Sequence, residues 1–176
     1  GALRGFFTNR IEDPDEAVAR ARQIPSISER DLVSEVTCRQ SWVRPPQDSE
    51  SERAPAGAPE TTVRLNGAVP PPHLAVIDYG VKRSILDDLA RRGCTLTILP
   101  AHADADAIDA LHPDGVVLSN GPGDPRSLIP LLGTVRHCID RYPTLAICLG
   151  HQLAALALGA QVTKLPFGHH GGNHPV

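Results

Sequence analysis

Beyond residue 72, short apolar runs alternate with segments whose apolar residues recur at helical spacing. Leu74-Ala75-Val76-Ile77-Asp78 reads as a buried strand, and Val81 to Arg92 as a helix with Ile85 and Leu89 on one face and Gly93 closing it. The pattern continues with a strand at Thr95 to Leu99, a helix near Asp104 to Leu111 and a strand at Gly115 to Ser119. A longer helix is predicted from about Ser127 to Arg141, then a strand at Thr144 to Ile147, a helix at Gln152 to Leu158 and a strand at Gln161 to Leu165. Strands alternating with helices indicate an α/β fold, a parallel sheet covered on both faces. Ligands of such sheets bind beyond the carboxyl ends of the strands.

Upstream the pattern breaks. Residues 44–72 carry Pro45-Pro46, a polar run from Gln47 to Arg53, Ala54-Pro55-Ala56-Gly57-Ala58-Pro59 and Pro70-Pro71-Pro72. This composition buries too little apolar surface to offset its ordering entropy, so a linker is expected, with Thr61 to Leu65 its candidate short strand. Earlier still, Asp13 to Arg22 combines a cap, a proline in the first turn, early acids and late arginines, which predicts a short helix. The expected organisation is therefore residues 1–43 as the end of a separate N-terminal domain, 44–72 as linker and 73–176 as the α/β domain.

Composition adds bounds. Aromatics are 3% of the 176 residues against 41% hydrophobic overall, so aliphatic side chains must fill the core. The net charge of −3, from 17 basic and 20 acidic residues in no long block, argues against nucleic acid or an anionic membrane as partner. No apolar run approaches the roughly 18 residues of a spanning helix, and no signal peptide is evident, so a cytoplasmic setting is expected. Cys38, Cys94, Cys138 and Cys148 lack metal-site or scaffold spacing and read as reduced thiols. With no methionine anywhere, the chain reads as a fragment.

Two loops fall at predicted carboxyl ends. Ser119-Asn120-Gly121-Pro122-Gly123-Asp124-Pro125 forces a tight turn in which glycines let the backbone approach a ligand. By itself it is also an ordinary Gly/Pro turn. The second loop, in Thr144-Leu145-Ala146-Ile147-Cys148-Leu149-Gly150-His151-Gln152, has the form of a nucleophile elbow. There a reactive side chain occupies a sharp strand-to-helix turn, flanked by the small residues Ala146 and Gly150. The helix N-terminus would favour a thiolate on Cys148, and the next N–H, that of Leu149, would face a developing oxyanion. The competing reading makes Cys148 a small hydrophobe ending a buried strand.

Together these loops resemble the signature loops of the class I (triad) glutamine amidotransferases. Gly1 to Gly5, Asp31 to Val36, Asp78 to Arg83 and Phe167 to Val176 narrow the likeness to the small, glutamine-hydrolysing chains of carbamoyl-phosphate synthases. The resemblance implies a flavodoxin-like sheet and a reaction in which Cys148 attacks the side-chain amide of L-glutamine. Ammonia leaves, and water hydrolyses the thioester. It further implies oxyanion N–H groups from Gly121 and Leu149, and substrate binding by Gly123 and Gln152. The implied partner is a large synthetase subunit that uses ATP and Mg, with no cofactor in this chain, and the product serves arginine and pyrimidine biosynthesis. Ala146 replaces the glycine common at that place in the elbow, so slight crowding is expected.

The family's general base is a histidine followed two residues later by glutamate, and no His-x-Glu occurs here. His102-Ala103-Asp104 and His112-Pro113-Asp114 come before Cys148 and read as surface loops. His169, His170 and His174 lack companion ligands, so no metal is expected. His151 is read as a packing or partner-contact residue. On this reading the fragment alone does not turn over glutamine. Two other classes stay open: a non-catalytic docking or regulatory module of the same fold, and another Cys-dependent amidase.

Overall fold

The computed structural model describes residues 5–10, 13–26, 30–47 and 70–164. Among these residues five strands form one sheet in the order β1-β3-β2-β4-β5. They are β1 (Trp42–Arg44), β2 (His73–Asp78), β3 (Thr95–Pro100), β4 (Gly115–Leu118) and β5 (Thr144–Ala146). From β3 to β5 all neighbours are parallel, and β1 joins the β3 edge antiparallel, with Trp42 opposite Ile98 and Arg44 opposite Leu96. The sheet is thus mixed rather than purely parallel. A strand of three residues is too short to show a period, which is why β1 escapes a pattern reading.

Alternate side chains point to opposite faces and give two apolar layers. Ala75, Ile77, Val116 and Leu118 face the larger core, which also holds Ile108 of α4 (Ala105–Asp109), Val135 and Cys138 of α5 (Leu132–Arg141), and Leu149 and Leu153 of α6 (Leu149–Ala157). On the opposite face Val76, Leu96, Ile98 and Val117 pack on Leu86 of α3 (Arg83–Arg91). Helices therefore cover both faces. Near the N-terminus, α1 (Pro14–Gln23) is capped by Asp13, whose side chain accepts from the Asp15 N–H.

The long helix expected over 127–141 is divided. Residues Pro125–Leu131 form a 3₁₀ segment with Leu128 at φ −110°, ψ 18°, and only then does α5 begin. Pro130 gives no N–H to either helical ladder and its ring crowds the preceding turn, so a continuous α-helix is interrupted here, with the kink at Leu128. α6 starts at Leu149, three positions before the expected Gln152, because the helix begins directly at Cys148. Residues 161–164 are not in a strand, and the rest of the expected strand, with Thr61 to Leu65, lies outside the described residues.

The last part of the stretch expected to close a separate N-terminal domain packs on this sheet. α2 (Val33–Val36) places Val33, 1% exposed, in the larger core, and β1 extends the sheet. Arg44 of β1 is ion-paired to Asp87 of α3.

Candidate active site

β5 leads through Ile147 to Cys148, which has φ 51° and ψ −107° and serves as the N-cap of α6. A non-glycine residue there stores strain of order 1–3 kcal/mol and persists only where its surroundings over-determine it. Those surroundings are visible. Ile147 N–H donates to Leu118 O (2.9 Å), and Gly150 N–H to both Ser119 O and Ile147 O (3.0 Å each). Gln152 N–H then closes the first turn on Cys148 O at 3.0 Å. Leu149 and Leu153 anchor the helix in the core. Gly150 is obligatory in this packing, since a Cβ would lie 2.3 Å from Leu118 O.

Cys148 is exposed, whereas Cys138 is buried and Cys38 and Cys94 are half-buried. The buried-hydrophobe reading thus fits Cys138, not Cys148. Burial pushes the Cys138 thiol up to about 11. Burial, aided by the neighbouring Asp78 carboxylate, raises Cys38 to about 11 as well.

The Gly121 loop faces the elbow directly. A Cβ on Gly121 would fall 2.2 Å from Tyr79 O and 2.8 Å from Leu149 Cδ2, so only glycine fits between them. Among the described residues, neither the Gly121 nor the Leu149 N–H has a hydrogen-bond partner. Gly123 adopts φ 94°, a conformation open to glycine, and ends the turn. Asp124 then caps the 3₁₀ segment, and the Arg126 guanidinium holds its carboxyl below the usual carboxylate range.

The loop is held from behind by Asn120, which accepts from Lys82 N–H (3.1 Å) and donates to Gly80 O (3.0 Å). Asp78, only 6% exposed, accepts from the N–H groups of Gly80 and Val81 through one oxygen and of Cys38 through the other. Thr37 Oγ1 accepts from Ala101 N–H, and Leu32 lies beside Gly123. Residues 32–38 therefore wall the same end of the sheet. Sequence reading missed these supporting roles. The one local signal was an acid ending the β2 run just before Tyr79-Gly80.

Gln152 is half-buried one helical turn after Cys148, on the same side of α6. His151 is exposed on that helix. His102 is exposed after β3, with Nε2 2.9 Å from Ser34 Oγ, and exposed His112 precedes β4 at the opposite end of the sheet. The expected surface positions of both thus agree with the fold. Ala146 is accommodated with its methyl packed against the larger core. His169, His170 and His174 lie outside the described residues. Among the described residues, no group of three or more metal-ligating side chains occurs. No helix among them is long and apolar enough to cross a membrane.

Residues 75–176 match the glutamine amidotransferase class-I family. This chain belongs to that family. The chain is 43% identical over its whole length to the carbamoyl phosphate synthase small chain of Syntrophotalea carbinolica, covering 45% of that protein. It is 60% identical over 105 residues to the arginine-specific small chain of Geobacillus stearothermophilus, a match spanning 60% of this chain and 30% of the other. The chain thus spans less than half the length of these curated relatives. Among solved structures, a Thermoplasma acidophilum protein described as part of a GMP synthase is similar, with a TM-score of 0.51 and 32% identity over 57% of this chain and 52% of that one.

Proposed function

We propose that this amidotransferase supplies the glutaminase half of a carbamoyl phosphate synthase, its substrate being L-glutamine and its partner a large synthetase subunit. The observation that carries the reading is the exposed Cys148, held at φ 51° at the start of α6, with the Gly121 turn packed against Leu149 and no hydrogen-bond partner among the described residues for the N–H of Gly121 or Leu149. The relatives named above support the choice of synthase over other users of the same loops.

In this mechanism the Cys148 sulfur adds to the side-chain carbonyl carbon of glutamine, and the carbonyl oxygen becomes an oxyanion held by Gly121 and Leu149 N–H. Collapse of the tetrahedral species breaks the C–N bond, and the nitrogen leaves as ammonia after taking a proton. Water then adds to the γ-glutamyl thioester, releasing glutamate and restoring the thiol. Gly123 and Gln152 border the substrate. The resemblance assigns proton transfer to a His-x-Glu pair that the 176 residues do not contain. ATP and Mg act on the large partner. Ammonia passes to it for carbamoyl phosphate formation, which feeds arginine and pyrimidine synthesis.

The test is glutamine-dependent ammonia release by the full-length gene product, alone and with its large subunit, comparing wild type with Cys148→Ser. Loss of release in the variant, and protection of the wild-type thiol from a glutamine-like chloroketone by free glutamine, are the expected results. Unchanged release would overturn the proposal, and an inert, unprotected Cys148 would leave a docking module of the same fold.

A further inference from the structure

Ser119 is completely buried, and its hydroxyl has two partners. It accepts from the Tyr79 N–H at 2.9 Å and donates to the carbonyl oxygen of the next residue, Asn120, at 2.8 Å. That carbonyl belongs to the peptide unit whose N–H is that of Gly121. In a trans peptide the C=O and N–H point in opposite directions from a rigid plane, and among the described residues no peptide bond is cis. Fixing Asn120 O therefore fixes where the Gly121 N–H points. The backbone of Ser119 acts on the facing loop too, because its carbonyl accepts from Gly150 N–H at 3.0 Å. One residue thus orients the loop carrying each proposed oxyanion donor.

Building on the glutaminase reading, we infer that Ser119 is a positioning residue for the oxyanion site, its hydroxyl aiming the Gly121 N–H at the carbonyl oxygen of the bound carboxamide. Without the hydroxyl, the Asn120–Gly121 plane loses the hydrogen bond on its carbonyl oxygen, and glycine at 121 adds no side-chain restraint, so the plane can tilt although the Asn120 side chain still holds the loop. Ground-state binding of glutamine depends little on that N–H. The transition state depends on it strongly, since a preorganised donor is worth most where charge develops.

The experiment uses the full-length gene product in complex with its large subunit. Wild type, Ser119→Ala and Cys148→Ala are compared. Loss of an oxyanion donor lowers turnover about 100-fold or more, and a misaimed donor should reach about 10-fold to 100-fold. The expected result for Ser119→Ala is a kcat reduced by that factor with KM within about twofold. The affinity for a γ-aldehyde analogue of glutamine, which forms a tetrahedral adduct on the thiol, should weaken in parallel. Alkylation of Cys148 by iodoacetamide, which builds no oxyanion, should keep its wild-type rate. Wild-type kcat in Ser119→Ala overturns the inference, and so does an equal loss in kcat and alkylation, which would mark general collapse of the elbow. Should Ser119→Ala not fold, Ser119→Cys keeps a polar group of the same shape, slightly larger and a much weaker donor, and is read by the same criteria. Hydrolysis that survives Cys148→Ala would overturn the glutaminase reading itself. Hydrolysis lost in Cys148→Ala and intact in Ser119→Ala defeats only the role of Ser119.

Discussion

The Gly150 N–H donates to the Ser119 carbonyl across 3.0 Å, joining the first turn of the helix after the nucleophile to the strand end beside it. This approach is possible only because Gly150 carries no side chain at the contact. A methyl there would meet Leu118 O at 2.3 Å, a backbone atom that cannot swing away. Gly150→Ala is expected to lower stability by about 1–3 kcal/mol, the usual range for overpacking a filled interior. It should also abolish glutamine hydrolysis, because the elbow must open to relieve the clash. Urea unfolding alongside an ammonia assay checks both.

The strained backbone of Cys148 sets stability against function. Cys148→Gly and Cys148→Ala both remove the thiol, but only glycine accepts φ 51°, ψ −107° without cost. The glycine variant should therefore be about 1 kcal/mol more stable than the alanine variant. A glycine variant less stable than the alanine variant would show that the turn holds no strain, since glycine otherwise costs about 0.5–1 kcal/mol in chain entropy.

Thiol reactivity should separate the cysteines in a fixed order. Burial raises Cys38 and Cys138 to about 11, leaving almost no thiolate on either near neutral pH. Exposed Cys148 is expected to take up iodoacetamide first in the native protein, and Cys138 only on unfolding. Peptide mass mapping of a labelling time course reads the order directly.

A polar cluster away from the nucleophile offers a pH test. His137 Nε2, 2.9 Å from Asp109 Oδ1, and then the Tyr142 hydroxyl hold the Asp109 carboxyl below its ordinary value of 3.8. A carboxyl with a depressed folded pKa adds stability above its unfolded value, and that contribution is lost as pH falls through the folded one. Asp109→Asn should thus be less stable than wild type near neutrality, and the gap should close on acidification below the ordinary carboxylate range. Urea midpoints across that range provide the measurement.

The alternation of apolar runs after residue 72 was legible because the central strands are buried on both faces and the helices beside them each turn one apolar side inward. The sharp strand-to-helix turn at Cys148 and the tight turn at Gly121 were legible as local geometry for a different reason. Elbow and turn chemistry leave small residues at fixed offsets. What escaped depends on contacts distant in sequence. β1 is defined by its pairing with β3, not by any period of its own. The 3₁₀ segment follows from Pro130 inside an otherwise helical pattern, a break the apolar spacing conceals. Asp78 and Ser119 looked like ordinary strand-end polar residues, and only the fold shows their partners at Cys38, Tyr79 and Asn120.

The packing of Val33 and the bond from Cys38 to Asp78 bear on how this protein can be divided. The family match begins at residue 75, inside β2, yet excision there would empty a core position, remove the antiparallel edge and orphan one oxygen of a buried carboxylate. The stretch matched by the family model is thus smaller than the packed unit, whereas the likeness to the small chains runs through both. A minimal amidotransferase cut from this sequence must retain residues 30–47, even though they lie upstream of everything the signature loops identify.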